Sequence, residues 1–255
     1  MNVRVIAGDS AMVVPTLGLF DLVVTDPPYS TAQGHRSGGA SWSGRRRVRR
    51  VEIPEYAMTD DVVAIVGEAA KHVAPKGRMI VVSGSYGGSV VAFLDAVRPT
   101  LPLARVLSWT RPNSKDGAIG PFGWTSKTVL LFGKNGGAPH AEDVLLLDRH
   151  YRRPRIDEPR IHPAEMPAGV SRWLAKGLVR QPHGFSVLDP FVGTGALLQG
   201  FAEAGCDVVG IDIEPKWAHL AEDRLRSLHV PFVLFERERE RERERRIHSR
   251  RRWAA

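Results

Sequence analysis

The sequence holds a single cysteine, Cys206, in 255 residues. An internal disulfide is therefore excluded, and a reducing, cytoplasmic setting is expected. The nine histidines show no metal-ligand spacing and the cysteine has no partner, so no metal is expected. No apolar run approaches the roughly 18 residues of a membrane span, so no membrane partner is expected. The opening MNVRVIAGDSAMVV is a short apolar run broken by Asp9, unlike a signal peptide. No internal repeat occurs.

What is present is a hydrophobic fraction of 43%, enough for a substantial core, and a net charge of +8. The last twenty residues, 236–255, hold nine Arg and five Glu, so about half of the excess sits in a low-complexity tail with no apolar face to dock. That tail reads as a solvated, disordered extension, and residues 1–235 as one domain. The remaining basic excess suits a polyanionic partner without demanding one.

Apolar patterning gives strands at Val3–Ala7, Phe20–Thr25, Arg78–Val82, Leu103–Trp109, Lys127–Phe132, Phe185–Leu188 and Asp207–Ile211. Helices are expected at Asp60–Val73, Tyr86–Val97, Gly169–Val179, Gly195–Ala204 and Pro215–Leu225. Leu103–Trp109 and Lys127–Phe132 read as a hairpin. Residues 30–56 are Gly-, Ser- and Arg-rich and read as a long loop; residues 134–160 read as irregular. Strands alternating with helices imply an α/β fold, a parallel sheet covered on both faces.

Two strand ends carry candidate chemistry. The stretch VLDPFVGTGALLQGF runs from a strand through Asp189, Pro190, Phe191, Val192, Gly193, Thr194 and Gly195 into a helix. Glycines at such a turn allow a tight bend and close approach of a ligand. About twenty residues on, Asp212 ends the next strand, where a carboxylate can accept hydrogen bonds from a ribose. The dinucleotide fingerprint is incomplete, because Gly200 comes too late to be its third glycine, and a pyrophosphate site is disfavoured.

The second is TDPPYS. Pro27 and Pro28 lack the ladder N–H, so the strand stops at Asp26, at the sheet edge where α/β folds bind ligands. Asp26, a restricted proline carbonyl and the ring of Tyr29 could together receive a planar aromatic amine. A surface turn with incidental polar residues is the competing reading of the same six residues.

DPPY together with DPFVGTG resembles the S-adenosylmethionine-dependent DNA methyltransferases that modify exocyclic amino groups. The catalytic motif comes first and the cofactor motif about 160 residues later, which looks like the permuted, beta-type order of that family. VIAGDS, PKGRMIVVSG, LSWTRPN with GWTSKTVLLFGK, IHPAEMPAGVSRWL and GIDIEPKWAHLAEDRL resemble further family segments in the same order, over about residues 2–228. Met166 stands where lysine is usual, and Trp217 where tyrosine is common.

The resemblance implies a Rossmann-like methyltransferase fold: a mostly parallel seven-stranded sheet, helices on both faces and a terminal β-hairpin. It implies S-adenosyl-L-methionine as cofactor, held by Asp9, His162, Pro163, Asp189, Pro190, Phe191, Gly193, Gly195, Asp212, Ile213 and Trp217. It implies a base flipped out of double-stranded DNA, with Tyr29 stacked on it and its amino group received by Asp26 and the Pro27 carbonyl, on a backbone that Pro28 restrains. Methylation at cytosine C5 would need a cysteine nucleophile, and no Pro-Cys pair occurs. Asp before Pro-Pro goes mostly with adenine N6 in the family, and serine more often with cytosine N4.

The cluster Arg36, Arg45, Arg46, Arg47, Arg49 and Arg50 is placed to hold phosphates, as are Arg152 and Arg153 within a short target-recognition insert at 134–160. The resulting expectation is a monomeric or homodimeric adenine-N6 DNA methyltransferase of a bacterial or phage-infected cell; a cognate restriction enzyme is compatible with it and not required. Cytosine-N4 methylation, methylation of RNA or of a protein amide, and a catalytically silent DNA-binding remnant are the alternatives.

Overall fold

Apolar residues at alternating positions give this chain two distinct strand faces, and each face collects its own helices. The computed structural model describes residues 1–28, 58–83, 87–110, 116–119, 122–124, 126–133, 144–146 and 166–228. The 30–56 loop, most of the 134–160 insert and the 236–255 tail lie outside them. The elements in order are β1 Val3–Ala7, α1 Ser10–Val13, a 3-10 turn Val14–Thr16, β2 Phe20–Thr25, α2 Asp60–Lys71, β3 Val73–Ser83 and α3 Gly87–Val97. They continue as β4 Leu103–Thr110, β5 Asp116–Ile119, β6 Phe122–Trp124, β7 Ser126–Gly133, β8 Val144–Leu146, α4 Ala168–Leu178, β9 Ser186–Asp189, α5 Ala196–Glu203, β10 Asp207–Asp212 and α6 Pro215–Arg226.

The main sheet has the order β1-β10-β9-β2-β3-β7-β4-β8. Its first five strands are mutually parallel, β7 is antiparallel to both β3 and β4, and β8 is parallel to β4. This is the expected α/β, Rossmann-like class, with the expected hairpin in β4 and β7. Seven of the strands are those read from the sequence; the eighth, β8, falls in the stretch read as irregular. Its three residues pair with Ser108–Thr110, too short a run for periodicity to reveal. β5 and β6 form a separate two-stranded sheet inside the connection between β4 and β7.

The start of β3 also departs from expectation. Helical spacing carries α2 to Val73, yet the helix ends at Lys71 and Val73 opens the strand, paired with Phe20. Burial beside Phe20 decides here: Val73 is buried, and tertiary pairing overrides local propensity.

Leu22 and Val24 of β2, Ile80 and Val82 of β3, Val129 of β7, Trp109 of β4 and Val187 of β9 pack into one cluster with α4, α5 and α6. Val23, Met79, Val81, Leu130, Phe132 and Leu188 point the other way, against α2 and α3. No described helix is long and apolar enough to cross a membrane.

α4 and α5 cross at Gly200. A Cβ there would lie 2.4 Å from the backbone N of Arg172 and 2.5 Å from the Ser171 carbonyl carbon. The fully buried Ser171 fills the crossing: its Oγ donates to the Leu197 carbonyl and accepts from the Gly200 N–H at 2.7 Å. Gly200, out of place for a nucleotide fingerprint, is thus a helix-packing glycine. Gly200→Ala should destabilise the fold by about 2–3 kcal/mol, because backbone cannot move aside as a flexible side chain can. Urea unfolding measures this; an unchanged midpoint would remove the close crossing from the account.

Candidate active site

β2 and β9 are neighbours although more than 160 residues separate them; Leu22 pairs Val187 and Val23 pairs Leu188. From β9 the chain moves outward through α5 to β10, and from β2 outward the other way through α2 to β3. The carboxyl ends of β2 and β9 therefore flank a topological switch point, the place where open α/β sheets form a crevice.

Strand alternation places three carboxylates at that crevice on one face. Asp189 follows Val187 by two residues and shares its face. Asp26 follows Val24 in the same way, one residue beyond the strand. In β10, Asp212 alternates with Gly210 and Val208, and Val208 belongs to the same cluster. All three thus project on the side covered by α4, α5 and α6.

Their surroundings differ. Asp212 is tied to backbone: Oδ2 accepts from Gly193 N and Oδ1 from Glu214 N, each at 2.9 Å. It braces the glycine loop against the start of α6. Asp189 is 1% exposed; Oδ1 accepts from Phe191 N at 3.0 Å, while Oδ2 has no hydrogen-bond partner among the described residues. Burial pushes its carboxyl up to about 8; the charges of Asp26 and Asp212 add to the rise, while the Phe191 N–H and the neighbouring Thr25 hydroxyl, which stands outside hydrogen-bond geometry, oppose it. Asp26 is partly exposed, but its Oδ1 is buried and unpartnered among the described residues. Burial lifts it to about 7 against the opposing field of Lys127.

The loop from Pro190 to Gly195 is held by Val192 N to Ile211 O at 2.9 Å and by Gly195 N to Val192 O at 2.8 Å. Gly193 has φ +50° with open space where a Cβ would be, whereas a Cβ on Gly195, at φ +78°, would sit 3.2 Å from Ala221 of α6. Gly193 thus leaves room for a ligand, and Gly195 leaves room for α6. Beneath the loop, a Cβ on Gly210 would meet Val192 Cγ2 at 2.6 Å. Gly210 and Ser10, whose Oγ donates to the Pro190 carbonyl, are loop-shaping residues that the motifs did not flag.

Asp9 lies at the end of β1 and caps α1, Oδ1 accepting from Ala11 N at 2.9 Å. The Gly8 N–H bonds to Asp212 O at 2.9 Å, which brings this end to the same edge. Ile213 is 66% exposed there, and the ring of Trp217 lies 4.8 Å from Lys216 Nζ. Met166 is buried in the cluster that includes Trp109 and Val129. Cys206 is buried and its thiol pushed up to about 12 by burial, the state of an inert core residue. Tyr29, His162, Pro163, Arg36, Arg45, Arg46, Arg47, Arg49, Arg50, Arg152 and Arg153 lie outside the described residues. Among the described residues, no three His, Cys, Asp or Glu side chains are grouped to hold a metal.

No protein-family model matches the sequence, and no curated protein matches it significantly. Solved structures do. The M1.HpyAVI complex with SAM aligns with a TM-score of 0.59 at 16% identity, over 87% of this chain and 99% of that one. TTHA0409 from Thermus thermophilus, a putative DNA modification methylase, aligns at 0.59 and 20% identity, over 89% and 95%. The cytosine-N4-specific PvuII DNA methyltransferase aligns at 0.62 and 17% identity, over 91% and 89%. The chain shares their fold.

Asp189 gives a direct test of the electrostatics. Its folded value lies above its ordinary one, so the folded state binds the extra proton. Its contribution is present in full below the unfolded value near 3.8 and is lost as pH rises through about 8. Asp189→Asn keeps an acceptor for the Phe191 N–H and removes the charge. It should stabilise the unliganded protein at pH 9 by ~2–4 kcal/mol more than at pH 5. Denaturant unfolding at both values measures the difference; an equal effect at both would contradict the assignment.

Proposed function

We propose that this chain is an S-adenosylmethionine-dependent DNA methyltransferase that methylates the N6 amino group of adenine in duplex DNA after flipping the base. One observation carries the reading. Asp189-Pro190-Phe191-Val192-Gly193 and Asp26-Pro27-Pro28 leave adjacent parallel strands at the switch point, with their carboxylates on one face. The shared fold supports it: M1.HpyAVI and TTHA0409 have been solved with S-adenosylmethionine, and PvuII methyltransferase acts on a DNA amino group.

The residues present fit the cofactor. When bound, S-adenosylmethionine supplies an electrophilic methyl group on a cationic sulfonium. Asp189 and Asp212 supply negative charge for a cationic ligand, and the unpartnered Oδ2 of Asp189 offers an acceptor. Gly193 keeps the approach open, and no side chain caps the amino end of α5, so its N–H groups can receive a carboxylate. Asp9, Ile213 and Trp217 provide a polar and apolar wall, with His162 and Pro163 assigned to complete it.

Asp26 and the Pro27 carbonyl accept hydrogen bonds from the target amino group, while Pro28 restrains the turn and Tyr29 stacks on the base. These bonds draw density to a nitrogen whose lone pair is delocalised into the ring. They strengthen as that nitrogen gains positive charge, which is stabilisation specific to the transition state. Arg36, Arg45, Arg46, Arg47, Arg49 and Arg50, with Arg152 and Arg153, hold the DNA phosphates.

Asp before Pro-Pro supports adenine. The likeness to PvuII methyltransferase supports cytosine N4 as the second reading, with the same cofactor and the same role for Asp26. Nucleoside mass spectrometry on DNA from a methylation-deficient host expressing the chain decides between them. N6-methyladenine is expected; N4-methylcytosine would change the base, and neither mark in a folded, expressed protein would overturn the activity. Asp26→Ala should lower the methyl-transfer rate by about a hundred- to a thousandfold while keeping cofactor binding. Retained turnover would sink the role given to Asp26.

A further inference from the structure

Asp26 is useful in this reaction only as a carboxylate, since a protonated acid accepts from an amine poorly. Its setting works against that: burial around the unpartnered Oδ1 disfavours charge. A positive charge on a neighbouring strand would offset this.

The sheet supplies one. β3 separates β2 from β7: Thr25 pairs Val81, and Val81 pairs Leu130. β7 runs antiparallel, so its first residues lie at the same sheet edge as the end of β2. Val129 packs on the α4 side, and alternation puts Lys127 on that side too, as it does Asp26 after Val24. Lys127 pairs in register with Trp109 of β4, which is buried in the same cluster, and is itself partly buried.

Among the described residues, the charged groups around Asp26 are Asp189 of β9, with Asp212 of β10 beyond it, and Lys127 of β7. On the helices covering this face, Arg172 of α4 pairs with Glu203 of α5 at 2.6 Å, and Arg224 of α6 donates to Thr194 Oγ1 of the glycine loop at 3.2 Å.

Building on the amino-methylation reading above, we propose that Lys127 is a positioning residue: its ammonium, on the same face and edge of the sheet as Asp26, supplies the counter-charge that holds that carboxylate ready to accept from the target amine. Lys127 need not touch the base; it acts through Asp26. The lysine field opposes the effect of burial on Asp26, so its removal should shift the balance toward the protonated acid at neutral pH.

Two measurements on Lys127→Met test this. The first follows the Asp26 carboxyl carbon by NMR through a pH titration of the unliganded protein, with Asp26→Asn giving the assignment. The midpoint should rise by about half to one pH unit relative to wild type, as loss of a nearby opposite charge requires; an unmoved midpoint overturns the proposal. The second is the pH profile of methyl transfer. The acid limb should move up by a similar amount, costing roughly three- to tenfold in kcat near pH 6.5, with KM for DNA little changed and the rate recovering toward pH 9. Lys127→Arg should restore the wild-type profile. A uniform loss at every pH, or a loss confined to KM, would make Lys127 a structural or DNA-holding residue and overturn the proposal. Wild-type protein without methyl transfer would overturn the amino-methylation reading instead, and the NMR midpoint would still decide whether the two charges are coupled.

Discussion

The parallel pairing of β2 with β9 is the constraint on which the site depends. The ladder itself is short, with two register pairs, Leu22 with Val187 and Val23 with Leu188. A side-chain clasp reinforces it at the opposite end from the crevice. Asp21 Oδ2 accepts from both the N–H and the hydroxyl of Ser186 at 2.9 Å, and the Ser186 Oγ accepts from Asp21 N at 3.1 Å. These are charge-assisted, partly buried bonds between segments far apart in sequence. A slip of one residue would turn Asp26 and Asp189 to opposite faces. Asp21 and Ser186 therefore act on the site from the far end of their strands, by fixing which strands end together.

Having set the register, the fold accepts an electrostatic cost. Asp26, Asp189 and Asp212 lie on three adjacent strands; burial raises Asp26 to about 7, and burial with the charges of Asp26 and Asp212 raises Asp189 to about 8. A strained set of carboxylates is disfavoured in the empty protein and favoured once a cation arrives, since an opposite charge restores the ionised forms. Asp212 accepts two backbone N–H bonds that fix the glycine loop, so a charged group also sets the loop's shape.

Much of this was legible in the sequence because prolines and glycines punctuate strands sharply. Asp26 before Pro27 and Pro28, and Asp189 before the Gly193 and Gly195 turn, each stand at a strand end that the residue types alone mark. Seven strands and the covering helices followed from periodicity. What could not be read depends on pairing between distant segments. Gly200 gains its role only from Ser171 across a helix crossing, and Gly210 from Val192 above it. The β8 strand exists through its pairing with β4. Lys127 reads in sequence as the first residue of an apolar strand; only antiparallel β7 brings its charge to the end of β2. The clasp of Asp21 and Ser186 joins residues of types common on any surface, 165 positions apart, and leaves no local signature.

The central claim is that the β2 and β9 ends form one anionic site for a sulfonium cofactor, and calorimetric titration of the unliganded chain with S-adenosylmethionine tests it most directly. The account predicts saturable binding that tightens between pH 6.5 and pH 8.5. It also predicts proton release at the lower pH, because a bound cation favours the ionised form of Asp189, whose carboxyl otherwise holds its proton to about 8. No binding, or binding that neither tightens with pH nor releases protons, would contradict it.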